Sequence, residues 1–463
     1  MLEKNSAADR SSKFQDKMVE IGAKVGNQIH LRSLRDGMSV LMPLFILAGL
    51  GVLINFVVIP YSVGGLKGIL NISNPDAVIA KMQIWGSTIS RGTLDVTGLL
   101  MAPCIGYAMA KNRGFSNPLS ASVIALVSLI TLLPLTVSIV PNGKKIAVDI
   151  GGVLTTNDLG SKAMIAGIIV GLLSAEIFVK LTKIKKMKVN LGPGVPPMVA
   201  EAFSSMFPAM ITISIFALIS AILQGFFNTD LITLIVTVIQ TPLRSITTSL
   251  AGYLFLYSSG NLLFTIGIHQ SVITGTFTDP FLLINQNENM AAFASHGHVP
   301  NIITTAFQIV YPQMGGTGAT ISLLLAIFLF SRYKASRDLG KLALAPGMFE
   351  INEPIIFGFP IIYNLPMIIP FILLPIFNAL VGYFATSIGL VSKTVVMVPW
   401  VTPPIISGFL ATAGDWRTPI LQVILIVAGA FIYLPFMRVS EAVSMKLAQE
   451  KQEKEDLEKA VVE

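Results

Sequence analysis

Two carboxylates, Glu350 and Glu353, lie in the stretch Gly347 to Pro366, which is otherwise apolar enough to sit in lipid. Prolines at 354, 360 and 366 forbid one straight helix through it, because each removes a backbone donor and crowds the preceding turn. A polar loop held at membrane depth is expected, and such a loop survives only where protein or a water-filled cavity surrounds it. A carboxylate near the bilayer centre costs about 2.5–3.5 kcal/mol on insertion scales, so its default reading is functional. Glu353 is therefore expected to be buried and to face a transported polar solute. The competing reading is a Glu that caps a helix or pairs with a basic neighbour.

Hydroxyl-rich solutes are held by planar side chains that donate and accept, with an aromatic face against the C–H surface of a ring. Asn352, Glu353, His269, Trp400 and Asn364 supply those types. Trp400, in Val-Pro-Trp-Val-Thr-Pro-Pro, would equally suit an interfacial aromatic belt, and His269 an interhelical hydrogen bond. A general base must reach the proton it takes and titrate near working pH; Glu353 and His269 are both candidates, and residue type does not choose between them.

The rest of the chain must hold these groups in a bilayer. Of 463 residues, 53% are hydrophobic and only 12% charged, whereas a soluble globule carries about 25% charged residues. Apolar runs of roughly 17–25 residues recur, each long enough to span the hydrocarbon. The excess of 32 Lys and Arg over 25 Asp and Glu sits in short loops and reports orientation; it does not point to nucleic acid. Cys104, the single cysteine, allows no intrachain disulfide and no metal-ligand spacing, and reads as a small core hydrophobe. Nucleotide loops and nucleophile elbows are missing too, so no metal, cofactor or bound ATP is expected.

No cleavable signal is expected before the first span, and the polar residues 1–36, with an amphipathic helix from Phe14, should stay in the cytosol. Spans are expected near Ser39–Val58, Leu94–Ala110, Leu119–Val140, Ala163–Val179 and Phe207–Phe226. Lys180, Lys183, Lys185, Lys186 and Lys188, with no acid among them, mark the clearest inside loop, and Pro141–Lys162 the better outside one. A rigid link, Gly192 to Pro197, precedes the fifth span. From Thr229 onward glycines, prolines and polar groups interrupt the apolar runs, as in broken transporter helices. Runs at Leu243–Thr265, Ala319–Phe330, Leu365–Leu390 and Leu421–Phe436 follow; Gly315-Gly316-Thr317-Gly318 lies among them, and Arg332 to Lys341 reads as another inside loop. The tail from Lys446 alternates Lys and Glu as a solvated helical end.

Glu350-Ile-Asn-Glu-Pro-Ile-Ile-Phe-Gly, and Trp400-Val-Thr-Pro-Pro-Ile-Ile-Ser-Gly-Phe-Leu-Ala-Thr-Ala-Gly-Asp-Trp-Arg417, carry a resemblance. With Arg32-Ser-Leu-Arg35-Asp-Gly37 and Gly194-Val-Pro-Pro197, it covers nearly the full length up to Arg438. The chain resembles enzyme IIC (EIIC), the membrane component of the phosphoenolpyruvate-dependent sugar phosphotransferase system, in its lactose/cellobiose/diacetylchitobiose family. The resemblance implies the all-α glucose-superfamily EIIC fold, with about ten transmembrane helices and two re-entrant hairpins in the C-terminal half. It implies a homodimer in a bacterial cell membrane, with a dimerisation domain at 37–228, a transport domain at 229–440 and a charged cytoplasmic tail at 441–463. Glu353 matches the Asn-Glu-Pro carboxylate and His269 the transport-half histidine, both implied near the sugar's 6-hydroxyl; Asn352 and Trp400 follow as sugar-binding residues. Gln270 stands where a smaller residue is expected. Phosphate would arrive from a phosphocysteine on a separate EIIB, charged by a separate EIIA, and the cargo would be a β-linked disaccharide of cellobiose or diacetylchitobiose type. An ion-coupled sugar transporter protonated at Glu353, and more weakly a lipid transferase, are the competing readings.

Overall fold

The computed structural model describes residues 28–66, 74–139, 148–189, 199, 203–266, 269–359, 361, 362 and 364–462. The amphipathic helix expected from Phe14, up to residue 27, and the link Gly192 to Pro197 lie outside the described residues. The elements used below are α1 (Ile29–Leu53), α2 (Thr97–Asn112), α3 (Pro118–Thr131), β1 (Thr136–Ile139), β2 (Val148–Gly151), α4 (Met164–Thr182) and α5 (Met206–Phe226). They continue with α6 (Leu250–Thr265), α7 (Asp279–Ala294), α8 (Ile321–Phe330), α9 (Lys334–Met348), α10 (Glu353–Gly358), α11 (Leu365–Ser387) and α12 (Arg417–Val462).

Six helices among the described residues are long and apolar enough to cross a membrane, or seven if the interrupted pair Leu231–Thr247 and Leu250–Thr265 counts as one span. Pro118–Thr131 and Ile321–Phe330 are shorter apolar helices. The third expected span, Leu119–Val140, is corrected: α3 stops at Thr131, and Thr136–Ile139 pairs antiparallel with Val148–Gly151, Thr136 opposite Gly151. Pro134 cannot continue a helix, and the Thr-Val-Ser-Ile run after it favours an extended ribbon. Part of the region taken as the inside loop Arg332 to Lys341 is helical, within α9.

The chain divides into two compact units, Lys24–Thr248 with Asp279–Gly297, and Ser249–Thr278 with His298–Glu463. In the first, burial of apolar side chains does little to draw helices together in lipid, so small residues and polar contacts must do it. A Cβ on Gly171 would lie 2.7 Å from Ala102 O, showing how closely the backbones of α2 and α4 approach. Arg113 pairs in bidentate fashion with Glu176 at 2.8 and 2.9 Å, and Lys180 joins at 3.0 Å. Arg244 grips α7 through Asn285 Oδ1 at 2.6 Å and through both oxygens of Glu288.

The second unit is built on a continuous apolar core. Phe264 of α6, Leu323 and Ile327 of α8, Ile355 and Ile356 of α10, Phe371 of α11 and Tyr433 of α12 all belong to it. Short α10 thus adheres to the core by two adjacent isoleucines, fixing the loop that precedes it. Asn364 donates to Ser440 Oγ at 2.8 Å, tying the start of α11 to α12. Among the candidates, Asn364 therefore has at least a structural occupation.

Candidate functional site

The chain leaves α9 at Met348 and turns through Glu350 in a left-handed conformation, φ +67°, before α10 begins at Glu353. Pro354 falls in the first turn of α10, where the N–H it lacks has no intrahelical partner to lose. The side chains of this turn point in opposite senses. Glu350 is 4% exposed and Asn352 5%, whereas Glu353 lies at the surface of the unit. The burial expected of Glu353 belongs to Glu350. Three positions of broken backbone give no periodicity that would fix in advance which acid turns inward.

Buried polar groups need partners, and a second loop supplies them. Glu350 Oε2 accepts the Gly316 N–H at 2.7 Å. Asn352 Nδ2 donates to Thr317 O at 2.7 Å and to Thr320 Oγ1 at 3.1 Å, while Thr320 Oγ1 donates to Gly315 O. Asn352 consequently makes no capping bond to α10. Its amide nitrogen is engaged in holding two loops together, which adds a structural role to the sugar contact expected of it.

Glycine is required in the second loop for two reasons. Gly315, Gly316 and Gly318 adopt φ of +75°, +89° and +80°, where L side chains are strained. A Cβ on Gly316 would also lie 2.5 Å from Asn352 Cγ and 2.8 Å from Glu350 O, and one on Gly318 would run into the Phe371 ring. Tyr433 Oη, fully buried, donates to Gly318 O at 2.7 Å. The result is a clamp of two loops, 315–320 and 350–352, seated on the core of the unit. Its outer end carries Glu353, whose carboxylate makes no ion pair among the described residues.

His269 stands against the same core by another route. Its ring packs on Phe264 at a centroid distance of 5.0 Å, and Phe264 packs on Phe371 at 6.2 Å, the ring that closes over Gly318. The Ser271 N–H donates to Nδ1 at 3.2 Å, and Ser271 Oγ lies 2.9 Å from the same atom. An Nδ1 that accepts a backbone hydrogen bond puts the proton of the neutral ring on Nε2. The imidazole side chain is thereby set to donate from Nε2. Gln270 is buried, its backbone packed against Gly260.

Trp400 is 49% exposed, beside a turn in which the Thr402 N–H donates to Pro399 O, and makes no ring contact among the described residues. Thus Asn352 and Glu353 share the clamp and His269 reaches its core through two phenylalanines packed edge to face, whereas no such link joins Trp400. Sequence reasoning missed Gly316, Gly318, Thr320 and Tyr433 as the clamp's parts; the glycine cluster was the visible signal. Cys104 is half-buried within α2.

Residues 35–375 match the family model described as phosphotransferase system, EIIC. Over 441 residues the chain is 31% identical to the lichenan permease IIC component of Bacillus subtilis (strain 168), with 94% of each chain covered. It is 31% identical over 429 residues to the cellobiose-specific EIIC component of the phosphotransferase system of Geobacillus stearothermophilus, covering 92% of this chain and 93% of that one. Among solved structures, the crystal structure of the transporter ChbC, the IIC component from the N,N'-diacetylchitobiose-specific phosphotransferase system, matches with a TM-score of 0.85 at 29% identity. That match covers 94% of this chain and 98% of ChbC.

Proposed function

The chain belongs to the EIIC family of the phosphotransferase system, and on that premise we propose that it carries a β-linked disaccharide of the cellobiose or diacetylchitobiose type across a bacterial cell membrane. It presents the sugar's 6-hydroxyl to phospho-EIIB, a separate protein recharged by EIIA. The observation that carries this reading is the clamp, which spends Glu350 and the amide nitrogen of Asn352 on structure and leaves the Glu353 carboxylate exposed at its head. Glu353 is the group that takes the hydroxyl proton, and His269, donating from Nε2, orients the oxygen. Asn352 and Trp400 complete the sugar contacts. The remaining architecture is proposed with it: a homodimer, the N-terminus in the cytosol, ten spans with two re-entrant hairpins, and a transport domain (229–440) that moves against a dimerisation domain (37–228).

The test is phosphorylation of cellobiose or diacetylchitobiose by EIIC-containing vesicles supplied with phospho-EIIB. Glu353→Gln keeps the shape and removes the base, so the rate is expected to fall roughly 10²–10⁴-fold. An unaltered rate removes Glu353 from the mechanism. Uptake of unmodified sugar driven by a pH gradient without EIIB would instead establish ion coupling.

A further inference from the structure

A cavity of about 670 Å³ opens where α8 gives way to the basic segment before α9, and α12 forms its other wall. This is well within the roughly 300–1,000 Å³ of small-ligand clefts. Arg332, Arg337 and Arg438 line it and are all exposed, and among the described residues none of the three forms an ion pair. The one carboxylate in the lining, Glu441, is 7% exposed and accepts the Ser331 hydroxyl. Three guanidinium groups against one acid leave a formal excess of two positive charges in the cavity. The other side of the lining is apolar, with Phe328, Leu329, Phe330 and Met445; Leu329 is 63% exposed and Met445 42%.

A free small anion would need the arginines but has no use for the exposed leucine and methionine beside them. A molecule with a phosphodiester and hydrocarbon chains uses both. The site also lies at the end of the apolar helix α8 and at the start of a segment carrying Arg332, Lys334, Arg337 and Lys341, which the positive-inside rule assigns to the cytoplasmic interface. Basic pockets among membrane helices on that side suit anionic headgroups. We propose that this cavity binds an anionic phospholipid, with the phosphodiester on Arg332, Arg337 and Arg438 and the acyl region along Leu329 and Met445.

The experiment is native mass spectrometry of the full chain with phosphatidylglycerol, phosphatidylethanolamine or inorganic phosphate added. Phosphatidylglycerol adducts are expected on the unaltered chain and should fall about 25-fold in Arg332→Gln/Arg438→Gln, roughly fivefold for each guanidinium removed, with phosphatidylethanolamine adducts unchanged. Should the double variant not fold, Arg337→Gln on the solvent face of α9 carries the same expectation at about fivefold. Equal retention of phosphatidylglycerol by the variants overturns the proposal. So do inorganic phosphate adducts as abundant as those of phosphatidylglycerol and lost in the same variants. Variants that keep the lipid but slow phosphorylation by EIIB would assign the basic cavity to a protein partner and overturn it as well.

Discussion

Gly316→Ala tests the clamp at its tightest point. The added methyl must occupy φ +89° and would lie 2.5 Å from Asn352 Cγ, a separation no real Cβ tolerates. Left-handed backbone costs an alanine about 1–2 kcal/mol. Relief of the clash requires loop 350–352 to withdraw, which breaks the bond from Gly316 N–H to Glu350 Oε2 and strands a buried acceptor, at about 1–3 kcal/mol. The sum, about 2–5 kcal/mol, falls on one loop pair. A loop that must be restored before sugar binds lowers apparent affinity by the same free energy, so the disaccharide Kd should weaken roughly 30-fold or more. Titration calorimetry in detergent measures the Kd, and a melting curve reports the general loss. Gly92→Ala is the control: no atom lies within 4 Å of its Cβ position and its φ is not in the left-handed region, so stability should hold or rise by about 0.4–1 kcal/mol. If Gly316→Ala binds sugar within twofold of the unaltered chain and melts at the same temperature, the clamp does not position Glu353.

Tyr433→Phe removes the hydroxyl that reaches Gly318 O inside the core and should cost about 1 kcal/mol of stability, read as a lowered melting temperature; no change would mean the bond contributes nothing. Arg244→Ala removes the guanidinium that holds Glu288 and Asn285 of α7; because Glu288 is 35% exposed, the loss should be about 1–2 kcal/mol, below that of a fully buried pair, with Arg244→Lys recovering part of it in the same melting assay. Burial raises the Asp415 carboxyl, but the Arg417 guanidinium and the Ser392 and Arg417 N–H groups outweigh it and hold the acid well below its ordinary 3.8. A carboxylate that titrates lower when folded contributes its full stability above the ordinary value and loses it as pH falls further. The melting temperature of the unaltered chain should therefore drop on acidification below about pH 4 by a margin that Asp415→Asn lacks, and identical acid profiles would refute this.

The spans were legible because lipid demands long apolar runs, and the expected Phe207–Phe226 and Ala163–Val179 differ by a few residues from α5 and α4. Their interruptions were less so. Pro134 announced that α3 must stop, but the turn into a ribbon depends on Thr136 finding Gly151 across the hairpin. At the site, residue type pointed to the segment from Gly347 to Pro366 and misassigned burial within it, which falls on Glu350 and not on Glu353. What decides the matter is the partner loop 34 residues earlier, where the Gly316 N–H, shared with Gln313 O, also meets Glu350 Oε2. A long-range pairing of this kind leaves no local pattern, since glycine clusters occur wherever backbone approaches backbone. The same fact explains why two acids stand so close together in sequence. One is withdrawn from solvent to join the two loops, while Ile355 and Ile356 anchor the following turn in the core. With Glu350 engaged in this way, Glu353 stands next to the clamp without sharing its hydrogen bonds, which suits the base proposed there, since a base needs both a fixed position and an unoccupied lone pair.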